Sequence, residues 1–160
     1  MFQSIIHRSI ILVGLLGSIS AEIIDSIKIC AIRVSFNEDD LVSTTGSGNF
    51  LLESQGIDCD SYTIDPAPHN KDYFESQIMA LNSYFRSVSY KKFGINIEGS
   101  VVFPSSQDGS YKLSNTMNYY NPYIENDVQE KRITELFQES IITAHQEDSI
   151  NFSSFDLIVV

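Results

Sequence analysis

Alternating apolar positions predict two well-defined strands in the first two thirds of the chain. Residues 27–36 read IKICAIRVSF and are rich in β-branched side chains, which predicts an internal strand. Residues 95–103, INIEGSVVF, predict a second strand that bends at Gly99 and stops at Pro104. Alternate positions of the first strand share one face: Cys30, Ile32, Val34 and Phe36.

Two later segments have the spacing of amphipathic helices. Apolar positions in residues 71–89 recur at intervals of four and three, which places them on one helix face, and Asn70 can cap this helix. Residues 127–146 repeat the pattern, with Asp127 and Glu130 spaced as in a capping box. The expected buried stripes are Phe74, Ile78, Leu81, Phe85 and Val88, then Ile133, Leu136, Phe137, Ile141 and Ala144.

The final segment determines the predicted class and extent of the fold. Residues 156–160, DLIVV, have the composition of a strand buried on both faces. Because helices alternate with strands, the sequence predicts an α/β domain with a mixed β-sheet and two main amphipathic helices. A strand buried in this way seldom ends a domain, so we expect the fold to continue past Val160. The alternative is a C-terminal edge strand.

The N-terminal residues have the features of a secretory signal peptide. A short region with one cation, Arg8, precedes the apolar run SIILVGLLG and a small-residue exit. We expect residues 1–20 to be removed near Ser20 or Ala21, which leaves one secreted, extracellular domain over residues 21–160. A membrane anchor is the alternative, but about 20 apolar residues are needed to span a bilayer.

Composition and charge narrow the class of partner. Apolar residues make up 42% of the 160 positions and charged residues 19%, which is the composition of a folded domain. The formal net charge of -11 would become -12 without Arg8. An acidic chain repels phosphate backbones, so we expect no nucleic-acid partner.

Two cysteines remain after the signal peptide, Cys30 and Cys59. In an oxidising compartment they can form a disulfide, which would close a loop of about 30 residues and add about 3–4 kcal/mol. The alternative is that Cys30, inside an apolar strand, is a buried free thiol.

Candidate ligand side chains are dispersed along the chain. Zinc sites need at least three good protein ligands, and His69 and His145 each lack a neighbouring histidine. We therefore interpret His69 as a turn residue and His145 as a helix-end residue. Asp58, Asp60 and Asp65 offer oxygen ligands for calcium, without the spacing of an EF-hand, and a solvated acidic loop is the alternative.

The tyrosines are candidates for a ligand platform, and the serines for a nucleophile. The four tyrosines near the middle can form a platform or can pack a loop onto the core. No serine lies in a glycine-flanked elbow, so the residues themselves supply no catalytic or metal site. The tyrosines are Tyr111, Tyr119, Tyr120 and Tyr123.

Several short phrases resemble those of the immune inhibitor A-type secreted zinc metallopeptidases. They are Asp72-Tyr-Phe74, LNSYFRSVSY at 81–90 and FGINI at 93–97. Pro104, the tyrosine loop and FDLIVV at 155–160 follow in the order seen in that family. The resemblance covers residues 27–160.

This resemblance implies the N-terminal half of a zincin-like metallopeptidase domain. In the family the zinc-binding helix comes later in the chain, so no catalytic or metal-ligand residue is carried over. It implies zinc for the full-length protein only, and a protein or peptide as its substrate. The alternatives are a secreted binding or adhesion module and a catalytically inactive homologue.

Overall fold

A central strand, interrupted twice, organises the fold. The computed structural model describes residues 25–41, 47–53, 65–124 and 127–160. In chain order its elements are β1 (Asp25–Ile27), β2 (Ile29–Ile32), β3 (Val34–Asn37), α1 (Lys71–Val88), β4 (Phe93–Ile95), β5 (Val101–Phe103), β6 (Tyr111–Thr116), β7 (Tyr123–Ile124), β8 (Asp127–Val128), α2 (Lys131–Asp148) and β9 (Leu157–Val159). Short 3-10 turns lie at Met117–Tyr120 and Phe152–Ser154.

β1, β2 and β3 follow one another, and each has a parallel partner on the same side. β4 pairs with β1, β5 with β2 and β6 with β3, all in parallel. These three partners therefore form a second interrupted strand, from which residues 96–100 and 104–110 bulge out. On its other side β2 pairs with β9, also in parallel.

The two helices cover opposite faces of this sheet. Ile29 of β2 packs with Ile78 of α1, whereas the next residue, Cys30, packs with Ala144 of α2. Neighbouring residues of a strand point to opposite faces, so α1 and α2 sandwich the sheet. The strand order β5-β2-β9 places β2 in the centre, with the later strands added on either side, as in doubly wound α/β folds.

The predicted α/β class with two amphipathic helices is confirmed, and the pairing is more uniform than expected. Every strand beside the central strand is parallel to it. Within the described residues, the single antiparallel pair is the hairpin of β7 and β8. The prediction of a mixed sheet is therefore wrong for the central sheet, because the antiparallel hairpin is separate from it.

The cap of α1 is confirmed, but part of its predicted stripe is wrong. The side-chain oxygen of Asn70 accepts from the backbone N–H of Tyr73 at 3.2 Å. Ile78 is buried, whereas Leu81 is 45% exposed and Val88 is 55% exposed. The sheet covers only part of the predicted apolar face of α1, because α1 packs mainly on β4 and β5.

The predicted start of α2 is wrong. Asp127 belongs to β8 and pairs with β7, and the helix begins at Lys131. Glu130 at the N-cap makes no side-chain capping bond. In the stripe Ala144 is buried, whereas Ile133 and Phe137 are 42% and 39% exposed. Because Asp127 pairs with β7 in the hairpin, it does not form the predicted N-cap of α2.

β9 forms where the sequence predicts it, but it is not buried on both faces. Ile158 and Val160 pack into the cluster beneath α2. Leu157 and Val159, on the other face, are 44% and 43% exposed. That face is uncovered because α1 lies over β4 and β5, on the far side of β2.

The predicted signal peptide, residues 1–20, lies outside the described residues, as do residues 42–46 and 54–64 of the long connection. Among the helices that are described, none has the length and apolar composition needed to cross a membrane.

Candidate functional site

An apolar pocket of about 350 Å³ lies at the carboxyl end of the central strand. Its floor comes from β2, β3 and residues 159–160. Phe50 and Phe74 form one wall, with ring centroids 5.3 Å apart, and Leu136 of α2 forms another. The remaining lining residues are Ala31, Ile32, Arg33, Val34, Phe36, Val159 and Val160.

The pocket occupies the place where doubly wound sheets bind ligands. The chain leaves β2 for β5 on one side, through α1, and reaches β9 on the other side, through α2. A crevice opens at the carboxyl ends of strands where the order reverses in this way. The pocket volume lies within the range of about 300–1,000 Å³ found for small-ligand sites.

One side of the pocket is an unpaired strand edge. The backbone N–H of Arg33 donates to Phe103 at 2.8 Å, and its carbonyl accepts from Tyr111 at 2.9 Å. Both bonds point toward β5 and β6. In a parallel ladder alternate residues bond to opposite sides, so the N–H and C=O of Val34 point toward the pocket. In the described residues no strand pairs with β3 on that side.

Gly48 closes the far end of this edge. Its carbonyl oxygen accepts from the N–H of Phe36 at 2.8 Å. Gly48 has φ +76, and a Cβ there would lie 2.9 Å from the carbonyl oxygen of Phe36. A glycine is needed because the backbone approaches so closely in a left-handed conformation. The open edge therefore extends from Val160 to Gly48.

The Arg33 side chain is held by backbone carbonyls beside the pocket. Arg33 is 2% exposed, and its guanidinium donates to Gln107 at 2.9 Å, to Pro104 at 2.8 Å and to Ser106. Burial lowers the pKa of Arg33, and the charge of Asp108 opposes that effect. The guanidinium thus fixes the bulge of residues 104–110 against the sheet.

A histidine and an aspartate meet at the turn before α1. His69 Nε2 lies 3.5 Å from an Asp65 carboxylate oxygen, which accepts from the Tyr73 hydroxyl at 2.7 Å. The hydrogen bond to Asp65, followed by burial, raises the pKa of Tyr73. In the described part of the chain Nε2 has no hydrogen-bond partner. His69 therefore lies in the turn before α1, as predicted, beside Asp65 and Tyr73.

The tyrosines do not form one platform. Tyr111 is 1% exposed and its hydroxyl donates to Asp148, whereas Tyr120 is 3% exposed and donates to Glu139. Tyr119 lies under the guanidinium of Arg132, at 4.0 Å from the ring centroid. The interpretation that a tyrosine packs a loop onto the core is right for Tyr120, in the 3-10 turn, whereas Tyr111 is a core residue of strand β6.

Glu139 is the acceptor that joins this loop to α2. One carboxylate oxygen accepts from both the N–H and the hydroxyl of Ser114 at 2.6 Å, and the other accepts from Tyr120. Burial would raise the pKa of Glu139, but the hydrogen bonds from Ser114 and Tyr120 outweigh it and lower that pKa. Burial and the bond to Glu139 raise the pKa of Tyr120.

His145 is a helix-end residue, as predicted. It is exposed, and its Nδ1 lies 3.0 Å from the carbonyl oxygen of Ile150. A carbonyl can only accept, so Nδ1 carries the hydrogen.

Cys30 is fully buried and its thiol is free in the structure. Burial raises the pKa of this thiol to about 11. Cys59 lies outside the described residues, so the disulfide between Cys30 and Cys59 stays a prediction. Asp58 and Asp60, the other calcium candidates, also lie outside them.

Within the described residues, no three histidine, cysteine, aspartate or glutamate side chains come together as a metal site. The described residues therefore contain no group of side chains that fits a zinc centre.

Sequence reasoning did not find the pocket. Its walls come from separate segments, and the one available signal was Arg33, a charged residue within an apolar strand.

No protein-family model, curated protein or solved structure matches the chain.

Proposed function

We propose that this chain supplies the N-terminal scaffold of a secreted zinc-dependent endopeptidase, with a protein or peptide as substrate. The support is the resemblance of its phrases to the immune inhibitor A-type family, from Asp72-Tyr-Phe74 to FDLIVV at 155–160. In this proposal the zinc ligands and the catalytic base belong to sequence beyond Val160. The chain's own part is to build the sheet and one side of a cleft.

The observation that carries the proposal is the position of β9. β9 is added beside β2 and parallel to it, so its carboxyl end at Val160 opens on the pocket edge of the sheet. Sequence that follows β9 in a longer protein would begin where α/β sheets place their ligands. This is the arrangement that a scaffold needs if its reactive residues come next.

The test is the coding sequence that follows the codon for Val160. We expect an open frame that continues into a helix with a His-Glu-x-x-His pattern. A stop codon at that point would overturn the peptidase proposal. Protein purified from its source should cleave casein and lose that activity with a zinc chelator. Cleavage by the purified 160-residue chain would contradict the assignment of the site to later sequence.

A further inference from the structure

We propose that the pocket binds a small apolar carboxylic acid, whose carboxylate accepts from Arg33 Nε and whose apolar tail lies against Phe50 and Phe74. This inference goes beyond the peptidase proposal and does not rest on it, because it needs neither zinc nor bond cleavage.

Arg33 is a buried cation with one donor that its cage of carbonyls does not use. The residue lines the pocket and is 2% exposed. Its two Nη atoms donate to the carbonyl oxygens of Pro104, Ser106 and Gln107. Within the described residues its Nε has no hydrogen-bond partner. A buried donor without a partner costs about 1–3 kcal/mol, so an acceptor at Nε would stabilise the folded chain.

The charge of Arg33 selects an anion as that acceptor. Its three partners are neutral carbonyl groups. In the part of the chain that the structure describes, the carboxylates that act on its charge, Asp108 and Glu75, are not in ion-pair contact with it, and Glu75 pairs with Lys71. Buried charges are normally paired, and a carboxylate is the anion whose planar shape matches a guanidinium.

A second donor fits a ligand with two acceptor oxygens. The backbone N–H of the next residue, Val34, points toward the pocket, and among the described strands none pairs with β3 on that side. The two oxygens of a carboxylate can accept from Arg33 Nε and from Val34 together. A phosphate carries more oxygens than these two donors satisfy.

The remaining pocket walls select an apolar tail. Phe50 and Phe74 meet edge to face with ring centroids 5.3 Å apart, and Val159 is 43% exposed beside them. Burial of apolar surface contributes about 25 cal/mol for each Å² removed from water. One aromatic ring or a short alkyl chain fits a space of about 350 Å³.

The first experiment measures binding of defined probes to the full chain by titration calorimetry. The probes are phenylpropanoate and octanoate. The controls are phenylpropanol, which has the ring without the charge, and acetate, which has the charge without the tail. We expect saturable binding of at least one probe, and at least tenfold weaker binding of both controls, or about 1.4 kcal/mol. Absence of saturable binding by both probes, or equal affinity for phenylpropanoate and phenylpropanol, would overturn the proposal.

A matched pair of variants places the ligand in the pocket. Val159 and Leu157 lie on the same face of β9 and are 43% and 44% exposed, but of the two only Val159 lines the pocket. Val159→Phe should fill the space and weaken binding of the probe by about tenfold, whereas Leu157→Phe should bind as the parent chain does. Equal affinities of both variants and the parent chain would exclude the pocket.

Nuclear magnetic resonance then tests the two donors in the parent chain, so that the buried arginine need not be replaced. On saturation with the probe, the Nε–H resonance of Arg33 should shift and exchange of the Val34 N–H should slow. The Nε–H of Arg86 and the N–H of Ser35, which faces β6, should not change. An unchanged Arg33 resonance in the saturated protein would contradict the proposed contact.

Discussion

The guanidinium of Arg33 donates to the backbone carbonyl oxygen of Gln107 at 2.9 Å, across 74 positions of sequence. With the bonds to Pro104 and Ser106 it forms a cage in which a buried cation is held by neutral carbonyls. The same residue uses its backbone to join β5 to β6. One residue thus holds both the ladder and the bulge that interrupts it.

Arg33→Met should destabilise the fold. The variant keeps an apolar stem but removes the guanidinium and leaves three carbonyl oxygens without their donor, at a cost of about 1–3 kcal/mol. The midpoint of urea unfolding measures this loss. Arg86→Met, on the partly buried side of α1, is the control and should change the midpoint little. Equal midpoints for both variants would contradict the structural role of the cage.

Alkaline solution should weaken the fold through Tyr111. Burial, followed by the hydrogen bond to Asp148, raises its pKa above the ordinary value. A group whose folded-state pKa is raised contributes stability that is complete below its unfolded pKa, about 10 for tyrosine, and is lost as pH rises above it. Tyr111→Phe should therefore show a shallower loss of melting temperature above that pH.

The control for Tyr111→Phe is Tyr90→Phe, since Tyr90 is 85% exposed. Its alkaline profile should follow that of the parent chain. Parallel profiles for the parent chain and Tyr111→Phe would show that this hydroxyl is not held as described.

Acid should weaken the fold through Glu139. Its pKa is lowered, because the hydrogen bonds from Ser114 and Tyr120 outweigh burial. The stabilisation is present above the unfolded glutamate pKa of about 4.3 and is lost as pH falls through the folded value. Glu139→Gln should be less stable than the parent chain near neutral pH, and the difference should shrink in acid. Thermal unfolding across this pH range measures it.

Glu147→Gln serves as the control for Glu139→Gln, because Glu147 lies on the exposed end of α2. It should leave both the neutral melting temperature and the acid slope nearly unchanged. A constant difference between Glu139→Gln and the parent chain at every pH would contradict the lowered pKa.

The Cys30 thiol should be inert in the folded protein. With a pKa of about 11 and no exposed surface, it offers almost no thiolate to an aromatic disulfide reagent at about pH 8, where thiolate is the reacting form. It should react on unfolding. If Cys59 pairs with it, reaction should need a reductant, and the mass should rise by two hydrogens; an unchanged mass excludes the disulfide. Rapid labelling of folded Cys30 would contradict its burial.

The elements that sequence predicts best are those fixed by local chemistry. The β-branched run of residues 27–36 and the Asn70 cap were predicted because propensity and capping act over a few positions. The start of α2 was missed because Asp127 and Glu130 also satisfy a capping-box pattern. In the structure Asp127 instead pairs with β7 through its backbone. Such backbone pairing cannot be read from the pattern of side chains.

The pocket was missed for a different reason. Phe36, Phe50 and Phe74 come from three separate segments, and the partners of Arg33 are backbone carbonyls, which any sequence supplies. Composition likewise gave no sign that Val159 would be exposed, because exposure depends on which strand each helix covers. These features follow from topology rather than from local pattern.

The central position of β2 has a consequence for synthesis of the chain. Its first partner in sequence, β5, begins at Val101, and the bond from Lys28 to the Asp156 side chain spans 128 positions. A ribosome adding about 5–20 residues per second therefore exposes Ile29–Ile32 for several seconds before either neighbour emerges. Pairings of such long sequence separation are slow to form. During that interval this apolar segment is open to pairing with other nascent strands.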